Sequence, residues 1–383
     1  MANGRLGTEI YDAVVTDRVG RKVWQSGNNS MNKVTWGREY CETSVATVTL
    51  TANPYVANQV EPWVHKLTIY RGDELVWHGI IRQVRASSSV LQLTAYDGSV
   101  YFGYRRIGQS RHYFNRDAVT VAQDLVVDSF GVDDPLEVLD GLVVEQSFLW
   151  MTMDLTAATT LVDASMDELV KQGFAWTVSA GRMILGPLPA QHTTSQLTDD
   201  HWSAEVEVVK EGAECLTDVL VLGKGVYGFW SDRSTQVGTL QGVQKADSLV
   251  HEEDCQNMAK RTVAEALYPP RLVSLPGAAR LLPSAPVEIN ELVPGVRVPV
   301  SSSQTGITVG STMALKKVDV TVDDKGENVA ITLMEPPSNQ NASLLPPPGQ
   351  EDYNSPYDQE KRDKEQKQTA AEGAAADTGV GPA

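Results

Sequence analysis

Cysteine, basic residues and long apolar stretches are all scarce in this chain of 383 residues. The three cysteines are Cys41, Cys215 and Cys255, whose spacing matches no zinc or redox motif and whose odd number leaves no complete disulfide set. They favour synthesis in a reducing compartment. No stretch approaches the roughly 20 apolar residues of a transmembrane helix, and the N-terminus lacks the layout of a signal peptide. We therefore expect no insertion into a membrane.

The shortage of basic residues also limits the classes of partner. The chain has 32 Lys and Arg against 49 Asp and Glu, which gives a formal net charge of −17. Nonspecific nucleic-acid binding depends on basic residues that neutralise phosphates, and anionic membranes attract basic segments. The charge balance argues against both kinds of partner. With 42% hydrophobic residues the chain can still build substantial cores, and its length suggests two or three domains.

Motifs that carry catalysis or bind cofactors are also missing. Residues 223–228 fit the pattern GxGxxG, but the residues that follow lack the helical period of a dinucleotide site, so we interpret the segment as a glycine-rich turn. His251 and Cys255 enclose three acidic residues, yet on a helix those acids point largely away from the pair. We predict no catalytic residue, no cofactor and no bound metal. A carboxylate pair of the glycosidase kind stays open, because its two members need not be close in sequence.

What the chain does contain is a succession of short strand-like segments. Residues 1–107 hold several, among them Thr43–Thr51, Lys66–Tyr70, Leu75–Arg85 and Val90–Tyr96. β-Branched residues or a strict alternation of apolar and polar residues mark these segments, and turn residues separate them. The pattern predicts a first small β-barrel.

The next region, residues 108–195, has the pattern of a mixed α/β module. Thr120 and Gln123 form a capping pair ahead of an apolar stripe, which predicts a helix that ends near Gly131. A second predicted helix stops at Gly173, where glycine favours termination, and a hairpin follows it.

Strands return in residues 196–336, where one helix is predicted at 248–267. The last hairpin of this region repeats the pattern of the hairpin at 75–96, which predicts a second β-barrel related to the first. Residues 337–383 are rich in proline, charged residues and alanine, with almost nothing apolar to bury. We therefore expect a mainly β fold with an α/β insertion, in which two small β-barrels flank the mixed module and an extended C-terminal tail follows.

Aromatic residues supply most candidates for the cores. The tryptophans lie in or beside predicted strands, which favours packing in a core or an interface, while a carbohydrate-binding platform is the alternative left open. We expect Trp77 and Leu91 in the core of the first barrel. The full set of expected structural residues is Trp63, Trp77, Gly79, Leu91, Leu93, Asp97 and Trp176.

These strands also carry a resemblance to a known family. Five segments resemble the first barrel of phage tail hub proteins, the minor tail proteins of long-tailed phages that infect actinobacteria, which in turn resemble the baseplate hub of contractile-tailed phages. The segments are Glu61–Trp63, Leu67–Gly72, Val76–Ile81, Leu91–Asp97 and Tyr104–Arg106. In the same order, Gly173–Trp176 and Gly181–Pro187 resemble the family's middle module, and Ala285–Val298 resembles its late strand entry. The resemblance covers roughly residues 8–336.

The resemblance implies a structural protein of the virion and not an enzyme. Such hubs form a homotrimeric ring at the tail tip, in which two barrels per subunit match the sixfold tail tube. It implies as partners the distal tail protein, the tape-measure protein and the downstream tail-tip proteins, with synthesis in the host cytoplasm. DNA passes through such a ring without stable binding, and an acidic lumen would repel its phosphates.

Two alternatives remain beside the hub. The first is a distal tail ring, which is normally sixfold, although the α/β module and the second barrel favour the hub. The second is a tail-associated cell-wall hydrolase, which would need a catalytic constellation that the sequence does not show. In the hub interpretation, residues 337–383, with Pro346, Tyr357 and Lys361, form an assembly tail that clamps a neighbouring tail-tip protein or the end of the tape-measure protein.

Overall fold

A computed structural model describes most of the first 336 residues. The chain divides into two units, Met1–Ala342 and Ser343–Ala383, and the described residues all belong to the first. They are residues 6–7, 10–26, 31–203, 207–210, 212, 215–232, 238–247, 249–267, 271–274, 280–301, 312–334 and 336.

Strands predominate among the described elements, which confirms the prediction of a mainly β fold. The strands are β1 (Tyr11–Thr16), β2 (Lys22–Gln25), β3 (Met31–Glu39), β4 (Val45–Thr51), β5 (Lys66–Arg71), β6 (Glu74–Ala86), β7 (Val90–Tyr96), β8 (Arg111–Asp117), β9 (Val143–Val144), β10 (Trp150–Leu155), β11 (Trp176–Ser179), β12 (Arg182–Leu185), β13 (Leu197–Thr198), β14 (Glu207–Lys210), β15 (Asp218–Leu222), β16 (Tyr227–Ser231), β17 (Gln241–Lys245), β18 (Arg271–Ser274), β19 (Arg297–Ser301), β20 (Thr312–Asp323) and β21 (Gly326–Met334). The α-helices are α1 (Pro54–Gln59), α2 (Ala118–Phe130), α3 (Val162–Lys171) and α4 (Glu252–Ala266), and short 3₁₀ helices span Gly98–Tyr104, Leu188–Gln191 and Asp199–His201. No described helix combines the length and the apolar composition that a membrane crossing requires.

Thirteen strands from both ends of the described chain form one large sheet. Its order is β14-β18-β21-β20-β3-β4-β7-β6-β5-β1-β2, with β19 also pairing with β20, and β13 with β19. The regions 1–107 and 196–336 meet where β20 pairs with β3, from Lys317 opposite Glu39 to Val322 opposite Val34. The described strands form no closed barrel, so the two barrels stay a prediction.

Both ends of the described chain also share one hydrophobic core. On β4, the residues Ala46, Val48 and Leu50 point into this core while their neighbours are more exposed, because successive side chains of a strand face opposite sides. Apolar side chains of β20, β21 and the segment 281–300 belong to the same cluster. The two β regions therefore depend on each other for the burial of their apolar surface.

A buried arginine fastens the segment before β19 to the sheet. The Arg38 guanidinium, 1% exposed, donates hydrogen bonds to the carbonyl oxygens of Ile289 (3.2 Å), Leu292 (3.1 Å) and Val76 (3.0 Å). Burial lowers the pKa of Arg38 to about 10, so its charge persists at neutral pH. The three carbonyls supply the polar partners that a buried charge needs.

A buried ion pair joins strands that are far apart in the sheet order. Arg71 on β5 donates from Nε to Glu327 Oε1 (2.9 Å) and from Nη2 to Glu327 Oε2 (3.1 Å). The Tyr11 hydroxyl on β1 and the backbone N–H of Gly7 donate to the same carboxylate. Five strands separate β21 from β5, so the sheet must curl for this contact to form.

The middle module has its own core, formed by α2, α3 and strands of the two small sheets β10-β8 and β11-β12-β9. The prediction placed the start of the first helix at the Thr120–Gln123 pair, and this was wrong. Asp117, the last residue of β8, caps α2 by accepting a hydrogen bond from the backbone N–H of Val119 (3.1 Å), so the helix begins at Ala118. At the end of α3, Gly173 adopts a positive φ of 99°, as the predicted stop requires.

A third hydrophobic core lies between α4 and the three-stranded sheet β16-β15-β17, on which this helix packs. The helix lies within the predicted range 248–267 and buries Cys255, Met258, Ala259 and Val263. Glycine is required at position 228 because a Cβ there would lie 2.1 Å from the backbone nitrogen of Gln256 in α4.

Trp77 provides a test of the main core. Its side chain is 2% exposed, and its indole Nε1 donates to Ser44 Oγ at 3.2 Å. We predict that Trp77→Ala lowers the free energy of unfolding by about 3–5 kcal/mol, through lost burial and the cavity left behind. Urea unfolding followed by circular dichroism measures the change.

Tyr55, 67% exposed on α1, provides the matched control. Tyr55→Ala should change the free energy of unfolding by less than about 0.5 kcal/mol. Equal effects of the two substitutions would contradict the packing of Trp77.

Candidate assembly surface

A cluster of three aromatic rings, of which Tyr104 is exposed and the other two are half-buried, surrounds Arg82 on the large sheet. The Arg82 guanidinium carbon lies 4.5 Å from the ring centre of Tyr96, 5.2 Å from Trp63 and 5.4 Å from Tyr104. Its Nη2 also donates a hydrogen bond to the Tyr104 hydroxyl at 2.8 Å. Cation–π contacts and one hydrogen bond thus hold a cation among three rings. We call these four residues the Arg82 cluster.

Irregular stretches of the backbone determine where the residues of this cluster lie. Between Ile81 and Gln83 the pairing of β6 with β7 shifts register, so Arg82 is the extra residue of a bulge. Trp63 adopts a φ of +64°, a left-handed conformation that a bulky side chain rarely takes. Its backbone N–H donates to the carbonyl oxygen of Ile81 (2.8 Å), which fixes the loop to β6. Tyr104 ends the 3₁₀ helix that follows β7.

Asp97 anchors that 3₁₀ helix. Its carboxylate accepts hydrogen bonds from the backbone N–H groups of Ser44 (2.7 Å) and Ser99 (2.9 Å) and from both serine hydroxyls. Burial raises the pKa of Asp97, while these hydrogen bonds act in the opposite direction. Since Trp77 Nε1 donates to the same Ser44 hydroxyl, the core and the helix bearing Tyr104 are joined through one carboxylate.

A cleft of about 340 Å³ lies beside the Arg82 cluster. Arg82, Tyr96 and Tyr104 line one part of it. Carboxylates line another part, and these belong to Glu42, Asp163 and Asp167. Partial burial and the neighbouring charge of Asp163 raise the pKa of Asp167. A cleft with aromatic walls, one cation and several carboxylates suits the recognition of a charged side chain from another protein.

The chemistry available in this cleft is limited. Burial raises the pKa of the Cys41 thiol to about 12, and the charges of Glu42 and Asp167 act in the same direction. Little reactive thiolate is therefore present at neutral pH. In the described part of the chain, no group of three or more His, Cys, Asp or Glu side chains is placed to hold a metal ion.

The structure places the expected structural residues in three different settings. Gly79, Leu91 and Leu93 are buried in the large sheet together with Trp77, and a Cβ at Gly79 would lie 2.1 Å from the carbonyl oxygen of Tyr96. Trp176 is buried in the core of the middle module. Trp63 is half-buried, in the Arg82 cluster. Pro346, Tyr357 and Lys361 lie outside the described residues.

Residues 223–226 of the GxGxxG segment form the turn between β15 and β16, and its last two residues begin β16. The backbone N–H of Gly223 donates to the carbonyl oxygen of Val226 (2.8 Å), and Gly225 has a positive φ of 77°. The following residues continue as β16 and not as a helix. The interpretation as a glycine-rich turn is therefore confirmed.

The Arg82 cluster was not predicted as a unit. Trp63, Tyr96 and Tyr104 each lie in a segment that carries the family resemblance, but nothing in the sequence places their rings around Arg82. Their placement depends on the bulge in β6 and on the 3₁₀ helix, which arise from packing between segments. Arg82, which directly follows the apolar pair Ile80 and Ile81 in β6, was the available signal.

Comparison with proteins of known structure gives consistent matches over most of the chain. The 43 kDa tail protein of prophage MuSo2 from Shewanella oneidensis superposes with a TM-score of 0.57 and 14% identity, over 85% of this chain and 98% of the other. A tail protein from Neisseria meningitidis gives a TM-score of 0.57 and 12% identity, over 85% and 96%. A prophage tail protein from Listeria monocytogenes gives 0.53 and 10%, over 87% and 98%.

The chain has the fold of phage tail proteins. At these levels of identity the likeness concerns the fold, and the part of the expected resemblance that concerns phages of actinobacteria stays a prediction. The sequence matches no protein-family model and no curated protein.

His78 lies where this tail-protein fold joins its large sheet to the middle module. The ring nitrogen Nδ1 of His78 shares a hydrogen bond with Thr68 Oγ1 (2.9 Å). The turn at Gly181 lies against the Cβ of His78. Burial and the charge of Lys66 lower the pKa of His78 to about 4. In the unfolded chain the pKa of a histidine is near 6.5. Between pH 6.5 and pH 4 the unfolded chain therefore binds a proton at His78 that the folded chain does not bind.

Stability should consequently fall as pH drops from about 6.5 to about 4. We predict that His78 contributes about 2–3 kcal/mol to the loss of folding free energy between pH 7 and pH 4.5. His78→Gln should remove that part of the loss, as measured by urea unfolding at both pH values. His192 is exposed, so His192→Gln is the matched control and should keep the wild-type loss. An unchanged pH dependence in His78→Gln would refute the assignment.

Proposed function

We propose that the protein is a structural hub of a phage tail tip, which forms a homotrimeric ring between the sixfold tail tube and the threefold tip. The observation that supports this most directly is the likeness of fold to tail proteins over 96–98% of their own length. Neighbours matched almost end to end leave little room for an additional catalytic domain in the compared region. We infer a structural role without enzymatic activity.

Charge supports the same role. A ring that lines the path of DNA must not hold it, and a net charge of −17 provides repulsion towards phosphates. The partners we propose are further copies of the chain, the distal tail protein, the tape-measure protein and the downstream tail-tip proteins. Its location would be the tail tip of the virion, after synthesis in the host cytoplasm.

In the proposed two-barrel arrangement, each subunit would supply two similar walls to the ring, so that a threefold assembly could match a sixfold tube. The joined sheet holds strands of both β regions, and its curvature brings β21 against β5 through Arg71 and Glu327. Each β region would then contribute one barrel-like wall to the ring, so that three subunits present six walls. The Arg82 cluster and its acidic cleft would provide a specific contact to a neighbouring protein.

The oligomeric state tests the hub directly. Size exclusion with light scattering, at several protein concentrations, should give a mass near three chains of 41.7 kDa. A mass near six chains would favour the distal tail ring instead. A stable monomer would raise the cell-wall hydrolase alternative, and a zymogram on actinobacterial cell walls would then decide whether the protein has lytic activity.

The tail after residue 336 should matter for assembly and not for the ring itself. We predict that a chain ending at residue 336 keeps the trimeric mass but fails to complete the tail tip, because the proline- and charge-rich segment binds a neighbouring protein. Electron microscopy of particles and plaque counts measure the effect. Substitution of Tyr357 and Lys361 by alanine, with the length unchanged, separates specific contacts from mere length. Normal plating by the truncated phage would show the idea to be incorrect.

A further inference from the structure

The small sheet β16-β15-β17 presents an apolar face that its own helix does not cover. Tyr227 is 63% exposed, Phe229 47% and Val243 65%. Leu220 and Leu222 lie between them, half-buried on the central strand. Single exposed apolar residues are ordinary, whereas the largest contiguous apolar patch on a protein surface is often functional.

The strand register shows that these side chains are contiguous. Leu220 pairs with Phe229 on one side and with Val243 on the other, which forms one row across the three strands. Leu222 pairs with Tyr227 and with Lys245, which forms the next row on the same side. Residues two apart on a strand share a face, so the two rows adjoin. We call them the outer face of the small sheet.

The opposite side of the same sheet is filled. Val219 and Val221 alternate with the outer residues and are fully buried against α4, in a cluster with Cys255 and Ala259. Trp230 also faces α4, where Lys260 Nζ lies 5.2 Å from its ring centre. The small sheet thus already has one packed layer, and its outer residues take no part in that described core.

Charge indicates what can meet the outer face. Two charged residues lie on this face. Lys245 is exposed, whereas Asp218, at the other end of the face, is only 5% exposed. Lys224 and Asp247 flank the face at the end where Lys245 lies. A partner surface that carries carboxylates suits the face, and a chain with 49 Asp and Glu against 32 Lys and Arg offers many carboxylates.

We propose that the outer face of the small sheet is a docking surface for a second copy of this chain, which meets it with a different, acidic surface. Contacts between two different surfaces of identical subunits generate rings when the rotation closes. The inference deepens the proposed hub and rests on it. From strand spacing and rise, three strands of five residues cover on the order of 200 Å². That is about a quarter of what one partner buries in a typical stable interface, so the face would be its apolar centre with a polar rim.

Photo-crosslinking tests which molecule contacts the face. The photoreactive amino acid benzoylphenylalanine is placed at Phe229 in the full chain, with the same residue at the exposed Tyr55 as matched control. Purified protein and assembled tail particles are irradiated, and the products are separated by mass and sequenced by mass spectrometry. We expect a product of two copies of the chain from position 229, joined to a peptide rich in Asp or Glu, and none from position 55.

Other products would overturn the inference. A crosslink from position 229 to another tail protein or to DNA would identify a different partner, and the absence of any crosslink in tail particles would show that the face is free. These outcomes are distinct from failure of the hub itself, which the mass of the assembly reports. If the protein is trimeric but position 229 yields no product of two copies, the proposed hub is supported and the proposed docking surface is wrong.

Charge variants add a quantitative arm. Lys245→Glu should weaken self-association by at least tenfold, because it places a carboxylate against an acidic surface, whereas Lys245→Arg should leave it unchanged. Sedimentation at increasing NaCl concentration should reduce the difference between the two variants. Equal association of Lys245→Glu and the wild type would contradict an acidic partner surface. The thermal unfolding midpoint checks that each variant is folded.

Discussion

The pairing of β20 with β3 is the interaction on which the rest of the structure depends. It joins strands from the two ends of the described chain in one sheet, and the common core forms beneath that joint. Without it, β21, β18 and β14 would lose their connection to the N-terminal strands. The Arg38 contacts and the Arg71–Glu327 pair then fix the curvature that the backbone ladder permits. A buried ion pair of this kind adds little net stability, because the desolvation of its two charges offsets much of their attraction.

The remaining parts attach to this sheet in two different ways. The middle module meets it beside His78, where the close glycine turn at Gly181 defines the contact. The small sheet and α4 form a separate core. The second side of this sheet can therefore stay exposed without removing apolar side chains from the other two cores. A well-packed centre with one exposed apolar face suits the role proposed for this subunit, which is to hold other proteins in register.

Local pattern was sufficient to predict much of the secondary structure. Leu91, Leu93 and Ala95 alternate so regularly that β7 could be delimited at Val90–Tyr96, and the glycine at 173 marked the end of α3. The start of α2 could not be read in the same way, because its cap, Asp117, is the last residue of a strand. The pairing of β20 with β3 and the bulge at Arg82 have no local signature, since each depends on segments distant in sequence. For that reason the strands were predictable, and the sheet and the Arg82 cluster were not.

The distance between Arg71 and Glu327 along the chain has a consequence for biosynthesis. The two residues are 256 positions apart, and the ribosome adds roughly 5–20 residues per second. The N-terminal strands must therefore wait roughly 10–50 seconds, with the edge of β3 unpaired, until the C-terminal hairpin emerges. An open strand edge attracts other chains, so nascent subunits synthesised on one polysome would be prone to aggregate. Complete translation thus becomes a condition for a complete sheet, and a prematurely terminated chain lacks the C-terminal strands that cover the edge of β3.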